Sequence, residues 1–99
     1  MDLSKPYITY NEPSGFIKHK SKQPVLLDFF VSNCSLSEDG YKIKITIDRR
    51  TTRYLSLWVP YYIYGLRKGK HTIRLQLLDS NNKRVSGYFN DIEQTFKVY

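Results

Sequence analysis

The sequence predicts an all-β fold, a single antiparallel sandwich of about seven short strands, and three observations predict it. The first is a period of two. In "YKIKITIDRR" the residues Tyr41, Ile43, Ile45 and Ile47 alternate with Lys42, Lys44, Thr46 and Asp48, and in "HTIRLQLLD" Ile73, Leu75 and Leu77 alternate with Thr72, Arg74 and Gln76. Successive side chains of a strand point to opposite faces, so each segment has one core face and one wet face, whereas a helix would scatter the same residues around its circumference. The second is punctuation: "SEDG" before Tyr41, "DRRTT" at 48–52, "GLRKG" at 65–69 and "DSNNK" at 79–83 are turn-rich separators. The third is composition. With 99 residues, 40% hydrophobic and 15% aromatic, the chain can bury one ordinary core and is too apolar for a disordered tail.

Taken in order, "YITY" reads as a short strand that "FIKHK" is expected to continue after the turn "NEPSG". "VLLDFFVSN" gives a more buried strand, Val25 to Ser32, with Val25, Leu27, Phe29 and Val31 inward and Leu26 and Phe30 outward beside Asp28. After "YKIKITID", the run "RYLSLWV" supplies a strand with Leu55, Leu57 and Val59 on one face. "HTIRLQLLD" follows, then a short "RVSGY" strand. "EQTFKVY", alternating Gln94, Phe96 and Val98 against Thr95, Lys97 and Tyr99, is expected to close an edge. Residues 1–6 read as a loose N-terminus and 7–99 as one domain, with no repeat, low-complexity segment or internal linker.

The longest apolar run, Val25 to Val31, is interrupted by Asp28 and is far too short to span a bilayer. "MDLSKPYITY" lacks the basic start and apolar stretch of a signal peptide. With Met1 as the natural start the protein is expected in the cytoplasm; as part of a larger chain it is equally compatible with an extracytoplasmic setting. Cys34 is the single cysteine, so packing must hold the fold without an intrachain disulfide, and Cys34 is expected to sit at a strand end as a small hydrophobe. The net charge is +7. That charge fits an anionic partner or mere solubility, and the cations are spread along the chain, with the tightest groups at Lys18/Lys20/Lys22, Arg49/Arg50/Arg53 and Arg67/Lys68/Lys70.

The segment Gly69 to Asp79, "GKHTIRLQLLD", resembles the strand of bacterial immunoglobulin-like and fibronectin type III-like domains that follows a "G-x-H-T-(apolar)" turn and ends in Asp before an Asn/Gly-rich hairpin, here Asp79 and "SNN". "LLDFFVSN", "YKIKITID" and "GYFNDIEQTFKV" are similar to the other strands of such accessory domains, so the resemblance covers roughly residues 7–99. It departs at Lys83, where glycine is common, and it lacks the disulfide of antibody domains. It implies an immunoglobulin-like sandwich in which Leu66, three residues before Gly69, is the plug leucine of a corner turn. His71 then stands where fibronectin-type domains carry a corner tyrosine whose polar tip bonds back to the turn.

Read from the residues alone, His71 has no catalytic or metal-binding company. A metal needs convergent ligands, yet the other histidine, His19, stands among lysines with no H-x-H or H-x-x-x-H pair. No serine lies in a G-x-S-x-G elbow, "GLRKGK" lacks the spacing and the Ser/Thr of a phosphate-binding loop, and the acid pairs Glu38/Asp39 and Asp91/Glu93 lie in or beside predicted turns. Cys34 has no nearby base. We therefore expect no enzyme, no cofactor and no metal.

What remains is surface recognition. "LWVPYYIYGLRKGK" brings Trp58, Tyr61, Tyr62 and Tyr64 close to Arg67, Lys68 and Lys70. Rings offer broad amphipathic contact area and the cations favour an anionic partner; a small sandwich equally needs Trp58 and one or two tyrosines as core plugs. Two readings follow. One is a non-catalytic interaction or spacer module presenting loops or an edge strand to a protein partner. The other is binding of carbohydrate or a polyanion, nucleic acid or acidic glycan, through residues 58–70, with Tyr61, Tyr62, Arg67, Lys68 and Lys70 as the contact residues.

Overall fold

A computed structural model of the chain describes residues 6–19, 24–57, 61–85 and 90–99. Among these residues are eight strands: β1 (Tyr7–Glu12), β2 (Gly15–Ile17), β3 (Val25–Ser32), β4 (Lys42–Ile47), β5 (Thr51–Leu55), β6 (Tyr61–Ile63), β7 (Gly69–Leu78) and β8 (Asp91–Val98). They form a three-stranded sheet in the order β1-β3-β6 and a five-stranded sheet in the order β2-β8-β7-β4-β5. The expected two-sheet sandwich is present, with eight strands where about seven were expected.

Alternation built the core. Ile43, Ile45 and Ile47 of β4, Ile73, Leu75 and Leu77 of β7, and Phe96 and Val98 of β8 face Ile8, Leu27, Phe29 and Ile63 of the smaller sheet. Pairing of Ile43 with Leu77, Ile45 with Leu75 and Ile47 with Ile73 keeps the two apolar rows in register. A slip of one residue would turn every one of them to water. Val25, Val31 and Cys34 pack against this core from its margin.

Four details differ from the sequence reading. Residues 15–17 do not extend β1; they cross to the other sheet and pair with β8 in parallel, Gly15 with Phe96 and Ile17 with Val98. The crossover passes a cis Glu12–Pro13 bond, and the Tyr10 hydroxyl donates to the Pro13 carbonyl at 2.6 Å. Burial of that ring pushes the Tyr10 phenol well above its usual range. The sheet is therefore not wholly antiparallel, and β8 lies inside it between β2 and β7 instead of closing an edge. β5 begins at Thr51, inside the expected turn, and ends at Leu55, leaving Leu57 exposed beyond it. Local alternation names facing residues but not the strand's partner; the hydrogen-bond ladder with β4, from Ile47–Thr51 to Ile43–Leu55, set these limits. After β7 the chain returns through Arg84, bridged to Leu78, and Val85, whose amide donates to the Leu77 carbonyl at 2.8 Å; residues 86–88 of the expected "RVSGY" strand lie outside the described residues, as do Val59 and Trp58.

Candidate functional site: a histidine bracket and two unlike faces

The β4–β5 connection sets the first piece of geometry. Asp48 and Arg49 both adopt positive φ, 53° and 57°, a left-handed conformation costing about 1–2 kcal/mol for each non-glycine residue. Asp48 offsets this by exchanging bonds with β7. Its amide donates to the Thr72 carbonyl at 2.9 Å, and its Oδ1 accepts from the Thr72 amide at 2.9 Å. Its Oδ2 lies 2.8 Å from Nδ1 of His71. The other ring nitrogen, Nε2, lies 2.6 Å from the Arg67 carbonyl. The ring also packs on Phe96, with centroids 5.6 Å apart.

A carboxylate and a carbonyl are both acceptors only, so a single protonation state satisfies both nitrogens: the imidazolium, donating at each end. Burial opposes that charge, but the Arg67 carbonyl and the Asp48 carboxylate outweigh it and hold His71 above its ordinary pKa. The His–Asp pair has the form of a general base with its orienting acid. In such a base Nε2 must be open to the nucleophile; here the Arg67 carbonyl occupies it. His71 thus ties the β4–β5 turn to the β6–β7 loop. Leu66 packs against the core from that loop, and Gly69 opens β7 at φ 133°, backbone that side-chain-bearing residues rarely adopt.

The five candidate contact residues do not share one surface. Tyr61, paired with Leu27, packs against the core. Tyr62, paired with Leu26, lies on the outer face of the three-stranded sheet. Lys70 pairs with Lys97 on the outer face of the five-stranded sheet. Arg67 and Lys68 are exposed on the loop between. Trp58 lies outside the described residues.

The two outer faces differ chemically. No lysine or arginine occurs in β1, β3 or β6. The outer face of their sheet instead exposes Phe30 at 50% and Tyr62 at 47%, with half-buried Leu26 beside Tyr62 and Tyr64, 72% exposed, just past β6. The outward row of the larger sheet carries Lys42, Lys44, Lys70, Arg74 and Lys97 against Asp91 and Glu93. Both acids are engaged. Arg74 grips Asp91 with two bonds of 2.7 Å and Arg84 adds a third at 2.8 Å; Arg49 meets Glu93 at 2.9 Å. The Arg74 fork first, then Arg84, keeps Asp91 below the usual carboxylate range despite its partial burial.

A groove of about 640 Å³ opens where the sheets part, between Ile17 and Val98 on one side and Val25, Leu26 and Leu66 on the other. His19 and Pro24, which bound it, are also the ends of the segment 20–23 outside the described residues. Among the described residues there is no cluster of three metal-ligating side chains, and no helix is long and apolar enough to cross a membrane. Cys34 is half-buried, and burial raises its thiol pKa. It is therefore expected to react with iodoacetamide at pH 8 several-fold more slowly than glutathione; an equal rate, followed by intact mass, would show an open thiolate.

No family model matches the chain, and no curated protein matches it. Among solved structures it is similar to the fibronectin(III)-like modules of Clostridium thermocellum CbhA, with a TM-score of 0.66 at 10% identity over 92% of this chain and 94% of that one. The chain has a fibronectin(III)-like fold.

Proposed function

We propose that this chain is a non-catalytic interaction module that meets a protein partner through the outer face of its three-stranded sheet. One observation carries the reading: Leu26, Phe30, Tyr62 and Tyr64 give this face an apolar and aromatic character interrupted by the acid pair Glu12 and Asp28 but by no cation of its strands, on a protein of net charge +7. Exposed apolar patches of this kind mark contact sites, and buried aromatics supply much of the affinity at protein interfaces.

The sheet edges are less suited to the task. β1 carries a register shift between Tyr10 and Glu12 and runs into Pro13. β2 and β6 have three residues each. β5 places Arg53 in the inward row opposite Ile45. Bulges, prolines, short strands and inward charges all discourage strand addition, so the partner is expected on a face. His71, with both nitrogens committed, is not free to act as a general base.

The test is differential capture. The full chain, immobilised, is exposed to extract of its source cells beside the double variant Phe30→Lys/Tyr62→Lys, after melting curves establish that both are folded. Proteins retained by the parent and lost by the variant are the expected result. An identical set on both, or nothing retained by either, overturns the reading and leaves a spacer.

A further inference from the structure

We propose that the outer face of the five-stranded sheet binds single-stranded nucleic acid. The cations look scattered in sequence, yet the fold gathers them. β4, β5, β7 and β8 contain Lys42, Lys44, Arg53, Lys70, Arg74 and Lys97, while the strands of the other sheet contain none. Arg53 alone of these belongs to the inward row. The outward acids Asp91 and Glu93 are already matched by Arg74, Arg84 and Arg49, which leaves the lysines as uncompensated positive charge. Among the described residues none of Lys42, Lys44, Lys70 and Lys97 has an ion-pair partner, and Lys42 donates only to Asn82.

The cations are arranged along a diagonal. At one corner Phe16, 76% exposed, pairs with Lys97, which pairs with Lys70. At the other Tyr54, 61% exposed, pairs with Lys44, with Lys42 on the same row of β4. Lys70 and Lys44 are separated by six residues along β7 and one strand across, about 21 Å by strand geometry. Next to Lys70 the surface sinks into a depression of about 540 Å³ that also holds Arg50, Thr72 and Thr95, two hydroxyls beside two cations. Asp48 and Glu93 border it, each held by its own partner, His71 and Arg49.

This is the chemistry a single strand needs. Phosphates want spaced lysines and hydroxyls, and unstacked bases want open rings. An acidic glycan uses lysines too and stacks a sugar face on one ring, and an anionic bilayer takes up an exposed ring at its interface, so the heparin and vesicle measurements below separate those ligands from a strand of bases; a protein partner has the aromatic residues of the opposite sheet. Tyr54 and Phe16, one at each end of the basic track, favour bases. The inference does not rest on the docking face proposed above, because no residue is shared between them.

The experiment is fluorescence anisotropy of a labelled twelve-residue oligothymidylate titrated with the full chain. Four phosphate contacts at a slope of about 0.7 each imply roughly fifty-fold weaker binding at 200 mM than at 50 mM salt. Lys70→Ala/Lys97→Ala removes two contacts, lowering that slope by about 1.4, and Lys42→Ala/Lys44→Ala does the same. Tyr54→Ala weakens oligothymidylate binding about tenfold, at the low end of one lost stacking contact, and leaves binding of heparin and of phosphatidylserine vesicles unchanged. Tyr54→Leu gives the same answer should the alanine variant not fold. Phe30→Lys/Tyr62→Lys is expected to retain full affinity. Any of four results overturns the proposal: no binding at 50 mM salt, indifference to both lysine pairs, loss of binding in the Phe30/Tyr62 variant, or oligothymidylate affinity unchanged by both Tyr54 variants.

Discussion

Phe96→Ala is expected to destabilise the domain by about 3–5 kcal/mol, the range for emptying a buried aromatic site. Phe96 is 1% exposed and sits on β8 between β2 and β7, paired with Gly15 on one side and His71 on the other. Removing the ring leaves a cavity beneath three strands of one sheet and takes away the surface against which the His71 imidazole packs at 5.6 Å. Close-packed interiors collapse only partly around such a gap. Small domains have about 5–15 kcal/mol of stability in total, so urea denaturation should show a midpoint reduced by about a fifth or more with an unchanged slope. A loss under 1 kcal/mol would mean that Phe96 is not the centre of the packed layer. Phe96→Leu, which keeps most of the volume, is expected to lose clearly less.

Replacing His71 has the second largest expected effect, and it carries a signature in pH. His71→Ala leaves the Asp48 carboxylate and the Arg67 carbonyl without their shared donor, a loss of about 1–3 kcal/mol. At roughly 4–8 °C per kcal/mol for a domain of this size, the melting temperature should fall by several degrees or more. The folded imidazole holds its proton more tightly than the unfolded one, since its pKa is raised by the two acceptors against the effect of burial. The folded state therefore binds more protons through this window, and stability falls as pH rises. The contribution is complete below the unfolded pKa, near 6.5, and is lost as pH passes the raised folded value. The parent should melt higher at pH 6 than at pH 8.5 by a margin that His71→Gln abolishes. An unchanged margin in His71→Gln would remove His71 from the bracket. The same substitution should not alter partner binding, since the face of the three-stranded sheet does not include this ring.

Much of the fold could be read from the residues because one local property, alternation, was nearly unbroken. Each of Leu27, Phe29, Ile43, Ile45, Ile47, Ile73, Leu75, Leu77, Phe96 and Val98 is buried on the face that its neighbours indicated. Leu66, Gly69 and His71 lie within six residues of one another, so a resemblance carried by a short segment could point to all three. Asp48 could not. It lies 23 residues from His71, and nothing in "DRRTT" marks its carboxylate as the partner of a distant ring. Arg49 with Glu93 and Arg74 with Asp91 join strands in the same way, through register across the sheet. The signal that could have exposed them was the pairing of β4 and β8 with β7, which neighbouring residues do not encode.

The sequence by itself determined that extended chain would clasp a single apolar interior, which side chains would face it, and where most of the turns would fall. These follow from interactions within a few residues: alternate side chains leave a strand on opposite sides, and turn residues interrupt it. Only the tertiary structure decided that β2 lies parallel to β8, that β8 is interior, and that the aromatic and basic residues of 61–70 part company across the sandwich. It also decided that cations spaced along the chain would meet on one sheet. The physical reason is that a strand's neighbours are chosen by long-range closure of the hydrogen-bond ladder over a common core, and surface charge takes whatever position that closure imposes.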